Sequence, residues 1–206
     1  MSYSILRDEE YDCLSRLSLD GKILDIGGSK KSGYHELIKG NHSFTVVNID
    51  EKCEPDVNAD VEKPFPFGEG TFDHSICLNV YEHVFEFEHV FSEQLRCIRQ
   101  GGKIVIAAPF MHFIHASPDD YLRFTSSTYY RLAKKYGAKI EQIDPLGYGL
   151  FSLFFQLVGG RLPTRWLEKS FQRICVRFDQ LLNRFSPKYR VLTKKIPLGY
   201  FVIFEK

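Results

Sequence analysis

The chain has 206 residues, 44% of them hydrophobic and 26% charged, with a formal net charge of +1. These values exclude a disordered or fibrous polymer and fit one globular domain with its own core better than two large ones. The small total conceals an asymmetry: residues 151–206 hold eleven Lys and Arg against three acids, whereas residues 1–150 hold sixteen against twenty-three. Such a split is a mark of attachment to phosphates or to an anionic membrane.

The opening segment MSYSILRDEEYDCL carries acids where a secretory signal has basic residues followed by an apolar run, so a cytoplasmic protein is expected. Residues 3–19 set Ile5, Leu6, Leu14, Leu17 and Leu19 among charges and predict an amphipathic helix ending near Asp20-Gly21. The periodicity then shortens. Lys22 to Ile26 is an apolar strand closed by Gly27-Gly28, Phe44 to Ile49 is another closed by Asp50, and Tyr34 to Lys39 forms a brief helix between them. His74 to Val80 and Lys103 to Ala108 read as the fourth and fifth strands, separated by a helix from about Val84 to Arg99. Thr125 to Thr128 offer caps for a helix through Tyr136 stopped by Gly137, and Lys139 to Ile143 resumes a strand. From Gly149 to Phe185 the pattern is helical, broken at Gly159-Gly160 and Pro163, and Leu198 to Phe204 is the final strand.

Strands alternating with helices predict an α/β domain whose parallel sheet is covered on both faces. We read residues 1–206 as one domain, with 150–190 a basic helical insertion before the last strand. The five cysteines are spread out with no C-x-x-C pair, and are expected to be reduced and mostly buried.

In open α/β sheets ligands settle beyond the C-terminal ends of strands, so the residues that end strands are the informative ones. Here these are Asp25-Ile26-Gly27-Gly28-Ser29, then Asp50, then Asn58-Ala59-Asp60-Val61, and Asn79. Glycines let the backbone approach a ligand closely, and a carboxylate closing the second strand can accept both hydroxyls of a ribose.

The ordered series LDIGG, VNID, NADVEKPFPF, GTFDHSICLNVYEHV and RQGGKIVIAAPF resembles the class I S-adenosylmethionine-dependent methyltransferases over roughly residues 20–145. The resemblance implies a doubly wound, mostly parallel seven-stranded, Rossmann-like sheet with S-adenosylmethionine as cofactor. It implies that Gly27, Gly28 and Ser29 lie against the methionine portion, that Asp25 orders the loop and the amino group, and that Asp50 binds the ribose. Asp60 and the backbone of Val61 would meet adenine, with Asn79 near the sulfonium. The sequence departs from the usual Asp-x-Gly-x-Gly-x-Gly run in carrying Ser29 and Lys31 at the later glycine positions. The nicotinamide fingerprint G-x-G-x-x-G is absent.

The segment PFMHFIHASPDDYLRFT, residues 109–125, is similar to a substrate-side loop of methyltransferases associated with polysaccharide and cell-envelope synthesis. Methyl transfer is an in-line displacement, and a hydroxyl acceptor needs a base. His115 is the first candidate, with His112 and the Glu82-His83 pair in reserve; Tyr121 and Arg123 share the loop. Arg123 either clamps an acceptor carboxylate or phosphate, or pairs with Asp120 and staples the loop. Glu82-His83 is expected to begin the helix after the fourth strand. No metal site is expected, since His112-x-x-His115 has no Cys or carboxylate cluster at fixed local spacing to complete it.

Between Arg165 and Phe185, Leu167, Phe171, Ile174, Phe178, Leu181, Leu182 and Phe185 make one apolar stripe, with Arg165, Lys169, Arg173, Arg177 and Arg184 largely on another side. Two readings stand: a helix packed on the sheet or on a second subunit of a homodimer, or a face that meets a membrane surface. No nucleic-acid-binding module is recognisable. The expected function is methyl transfer to an oxygen or nitrogen of a small or glycan-like acceptor, such as a lipid-linked saccharide at the inner membrane surface. The alternative is a catalytically inactive methyltransferase-like binding module.

Overall fold

The structure, a computed structural model, describes residues 4–206. Seven strands form one sheet: β1 (Gly21–Ile26), β2 (His42–Asn48), β3 (Val57–Asn58), β4 (His74–Leu78), β5 (Lys103–Pro109), β6 (Lys139–Leu146) and β7 (Gly199–Glu205). Their order is β3-β2-β1-β4-β5-β7-β6. β7 runs antiparallel to β5 and β6, and the other pairs are parallel. The strand order reverses between β1 and β4, which is where such sheets open a ligand crevice.

Strand side chains alternate between two buried faces. In β5, Ile104, Ile106 and Ala108 face one core, shared with Val90, Phe91 and Leu95 of α2 (Phe87–Cys97) and with Tyr129 and Leu132 of α3 (Ser126–Tyr136). Val105 and Ala107 face the other, shared with Ile5, Leu6 and Leu14 of α1 (Ile5–Arg16) and with Leu153 and Phe155 of α4 (Leu150–Val158). The result is a Rossmann-like fold, with helices on both sides of a mostly parallel sheet. α5 (Arg165–Phe185) and α6 (Pro187–Thr193) follow α4, so all three helices lie between β6 and β7.

Several expectations change. The helix expected over residues 3–19 begins on Tyr3, outside the described residues, and α1 ends at Arg16, after which the Leu19 N–H donates to the Lys39 carbonyl at 2.9 Å. Tyr34–Leu37 is a single 3-10 turn. The helix expected from Val84 starts only at Phe87, and Glu82-His83 lies in a separate 3-10 turn, Tyr81–His83. The reason is competition for hydrogen bonds. The Glu82 carbonyl accepts from the N–H groups of Tyr121 and Leu122, and the Phe85 and Glu86 N–H groups donate to the Glu62 carboxylate. β6 runs on through Pro145, which an edge strand tolerates because no ladder bond is lost on its open side.

Only part of the expected stripe on α5 packs: Phe171 lies against Phe154 and Phe155 of α4, with Leu182 half-buried. α5 turns Glu168, Gln172, Cys175 and Asp179 inward and leaves Ile174, Phe178, Leu181 and Phe185 exposed. Polar bonding fixes this rotation. The buried Asp179 carboxylate caps α4 by accepting from the Phe151 N–H at 3.1 Å and the Ser152 N–H at 2.6 Å, and it also accepts the Tyr189 hydroxyl. Gln172 donates to Asp8 of α1 at 2.6 Å. Among the described residues no helix is long and apolar enough to cross a membrane.

Candidate active site

The C-terminal ends of β1, β2 and β4 bring the expected cofactor residues to one edge of the sheet. Asp25 is fully buried, and its Oδ2 accepts the Tyr34 hydroxyl and lies 2.6 Å from His35 Nε2, while its Oδ1 has no partner. Gly27 has φ +69°, and a Cβ there would lie 2.3 Å from the Val80 side chain. A Cβ at Gly28 would fall 1.9 Å from the Asp25 carboxylate. Close packing against Val80 and Asp25 therefore requires glycine at both positions, and the loop backbone here carries no side chains.

Ser29 and Lys31, which depart from the family's glycine run, tie the loop to the turn after β2. Ser29 Oγ donates to the Cys53 carbonyl at 3.4 Å, Lys31 Nζ lies 3.0 Å from the Glu54 carboxylate, and Lys30 pairs with Asp56. Asp50 heads that turn, exposed, with one oxygen accepting from the Lys52 N–H at 3.0 Å. Asp60 caps its own short turn by accepting from the Glu62 N–H at 3.0 Å, with Val61 half-buried beside it.

Asn79 closes β4 in the left-handed region, φ +55°, and donates through Nδ2 to Glu10 Oε2 at 3.0 Å. Glu10 was not among the residues expected here. It lies on the inward face of α1 and is 1% exposed, with Oε1 unpartnered; burial pushes its carboxyl up to about 7, partly countered by Arg7 and by the Asn79 hydrogen bond. Its spacing between Leu6 and Leu14 was the available signal, an acid in the middle of an apolar stripe.

With Asp25 and Glu10 each holding a buried, unpartnered oxygen and Gly27-Gly28 bare beside them, the residues fit S-adenosylmethionine, whose amino group and sulfonium are both cationic.

On the acceptor side, residues 110–125 leave the end of β5 and fold back onto the Tyr81–His83 turn. Asp120 receives the Arg123 guanidinium through both oxygens and the His115 N–H at 2.8 Å, which holds its carboxyl well below the usual range. Arg123 also donates to the carbonyls of Phe113 and Leu122. Its fork is thus spent on stapling the loop, the second of the two roles expected for it. Tyr121 is exposed and donates its hydroxyl to Asp119 at 3.0 Å. His112 and His115 stack with ring centres 4.8 Å apart, and burial holds the His112 imidazole below its ordinary value.

Glu82 is fully buried, and neither carboxylate oxygen has a hydrogen-bond partner. Burial pushes it up to about 8. His83 Nε2 and His115 Nε2 face its Oε1 at 3.6 and 3.8 Å. The loop therefore brings Glu82, His83 and His115 together, whereas Tyr121 and Arg123 point to other partners. Cavities of about 470 and 500 Å³ lie elsewhere, one between α1 and α5 and one between α4 and α5.

The family model described as "Methyltransferase domain" matches residues 24–106. No curated protein matches the chain. Among solved structures, the chain is similar to an S-adenosylmethionine-dependent methyltransferase from Mesorhizobium loti, at 13% identity and TM-score 0.61, covering 98% of each chain. It is also similar to a geranyl diphosphate methyltransferase in complex with S-adenosylmethionine, at 12% identity and TM-score 0.62, covering 96% of this chain and 84% of that one. The cyclase SpnF is similar at 12% identity and TM-score 0.63, covering 100% of this chain and 84% of that one. The methyltransferase-domain model thus covers residues 24–106, less than half of the chain, and the solved structures share the fold across nearly its whole length.

Proposed function

We propose that the chain transfers the methyl group of S-adenosylmethionine to an oxygen or nitrogen of a small or glycan-like acceptor received by the loop over residues 110–125. The observation that carries this reading is the docking of that loop on the Tyr81–His83 turn. Tyr121 and Leu122 N–H groups donate to the Glu82 carbonyl at 2.7 and 3.2 Å, a few residues beyond Asn79 at the cofactor edge. In this reading Asp50 holds the ribose hydroxyls, Asp60 and the Val61 backbone hold adenine, and Gly27, Gly28 and Ser29 lie along the methionine portion. Asp25 orients the amino group, and Asn79 and Glu10 face the sulfonium. When bound, the cofactor supplies the activated methyl; the protein supplies alignment at attack distance.

Calorimetric titration with S-adenosylmethionine and its demethylated product tests the reading. Wild type is expected to bind both, and Asp50→Ala to lose about 1.5–3 kcal/mol of affinity, because hydrogen bonds to a charged acceptor are lost, while staying folded with a slightly lower unfolding temperature from loss of its cap on the Lys52 N–H. Absence of wild-type binding, or equal binding by the variant, refutes it.

The exposed face of the helical insertion supports a membrane-surface location for the acceptor, as for a lipid-linked saccharide. Ile174, Phe178, Leu181 and Phe185 are all more than half exposed, and Arg165, Arg173 and Arg177 are exposed on the same helix. Basic side chains near an anionic surface contribute roughly 1 kcal/mol each. Changing these three arginines to Gln should therefore weaken co-sedimentation with anionic vesicles on the order of a hundredfold at low salt. Neutral vesicles should capture neither form. Equal, negligible sedimentation in every condition would leave the stripe to a subunit interface.

A further inference from the structure

Glu82, His83 and His115 offer one ligand atom each, all within 4.8 Å of one another. His83 Nδ1 lies 2.6 Å from the Asp119 carbonyl, and His115 Nδ1 lies 3.3 Å from both the Phe113 carbonyl and the Asp120 carboxylate, so in each ring Nδ1 faces acceptors and Nε2 is the nitrogen turned to Glu82. Two imidazole nitrogens and a carboxyl group with no hydrogen-bond partner on either oxygen thus come together where Glu82 is fully buried. A bound ion or water accounts for buried polar groups left unsatisfied in this way.

We propose that Glu82, His83 and His115 form a binding site for a first-row divalent transition ion, with a coordination position left for an oxygen of the acceptor or a water.

The ligand chemistry is two imidazoles and one carboxylate, a set found at open catalytic sites for zinc and non-haem iron. Ligands about 2.0–2.2 Å from a tetrahedral ion stand roughly 3.4 Å apart. The separations of 3.6 and 3.8 Å from Glu82 Oε1 are within a few tenths of an ångström of that value, and the two imidazole nitrogens, within 4.8 Å of each other, would draw together as the His115 loop settles on the ion. The outer contacts are also those of a metal site: Asp120 orients His115, the Asp119 carbonyl orients His83, and Arg123 holds Asp120 in place. His83 is adjacent to Glu82 in sequence, whereas His115 comes from the loop, so an ion would fasten the loop to the turn. In this arrangement His115 serves as a ligand rather than as the base of the reaction. His112, the other half of the His112-x-x-His115 pair, is not part of the set: its Nδ1 faces the Phe113 carbonyl at 3.0 Å.

The role toward the acceptor rests on the methyl-transfer reading; the ion site does not. Chelator-treated full-length protein titrated with Co²⁺, followed by visible absorption, should take up one equivalent, and calorimetry should show Zn²⁺ competing for it. Mg²⁺, which prefers an all-oxygen shell, should not bind at the same concentrations. His115→Ala, on the surface loop, and Glu82→Gln, which keeps the side chain's shape but takes away its carboxylate, should each weaken Co²⁺ binding at least tenfold, and His112→Ala should leave it unchanged. Lack of saturable Co²⁺ binding, or binding that survives both ligand variants, overturns the site. Cofactor titration of the same samples separates the two readings: loss of cofactor binding with Co²⁺ binding intact defeats the methyl-transfer reading alone, and the converse defeats the ion site alone.

Discussion

At pH 8, Glu10→Gln is expected to stabilise the protein by about 3 kcal/mol, and at pH 4.5 to change its stability little. The Glu10 carboxyl is raised from an ordinary 4.5 to about 7, chiefly because burial removes water from its charged form. A group whose folded value lies above its unfolded value contributes stability that is complete below the unfolded value and is lost as pH climbs through the folded one. Ionisation at pH 8 therefore works against the fold, and a neutral amide avoids it while still accepting from Asn79. Urea denaturation of both proteins at the two pH values is the measurement. Glu9, also raised to about 7 by burial, is common to both and cancels in the difference. A variant no more stable than wild type at pH 8 would show that Glu10 is ionised at little cost. On the functional reading, the same substitution should narrow the preference for S-adenosylmethionine over its uncharged product, since the carboxylate faces the sulfonium.

Gly28→Ala is expected to reduce both stability and cofactor affinity. Its Cβ would sit 1.9 Å from Asp25 Oδ2, and Asp25 is held from behind by Tyr34 and His35. Overpacking of this kind typically destabilises by about 1–3 kcal/mol. Either the carboxylate gives up its contacts with Tyr34 and His35 or the loop backbone moves, and each outcome disturbs the strand end. Thermal denaturation and cofactor calorimetry together check this: an unchanged melting temperature would mean that the loop backbone relaxes, and unchanged affinity would mean that the cofactor does not use this stretch. Gly33, where an added Cβ meets nothing within 4 Å, provides the contrast despite its φ of +71°.

The strands were legible because their signal is local. Runs such as KILDI and KIVIAA are buried on both faces and end in glycine, aspartate or proline, so their bounds agree with the sequence to within a residue or two. β3 was not bounded in advance, being only two residues long. Where long-range hydrogen bonds decide, the pattern misled. Glu62 takes the N–H groups of Phe85 and Glu86 and delays α2, and Asp179 draws a polar side of α5 to the protein so that much of its apolar stripe, Ile174, Phe178, Leu181 and Phe185, is left exposed. The strand-end residues could be read from the sequence as neighbours on one edge of the sheet, but Glu10 reaches that edge from a helix more than sixty positions away from Asn79. The His115 cluster was half visible: the imidazoles could be named, yet only the folded loop sets them against Glu82.

The helical insertion leaves the sheet after Leu146 and returns at Leu198, and these two residues are joined directly, Leu198 N–H to Leu146 carbonyl at 2.7 Å. Topologically, residues 147–197 are an appendage whose two ends already touch. Closing such an excursion depends weakly on its length, with a doubling adding only about 0.6 kcal/mol. The sheet therefore accepts a longer, shorter or wholly different excursion at this point, provided something takes over the cover that Leu153, Phe155 and Cys175 give to one face. Phe110 N–H donates to the Leu198 carbonyl at 2.7 Å, so a replacement would also reset the first residue of the neighbouring loop. The architecture separates the parallel strands, whose order and register are fixed by one another, from an excursion that can change while they stay in place.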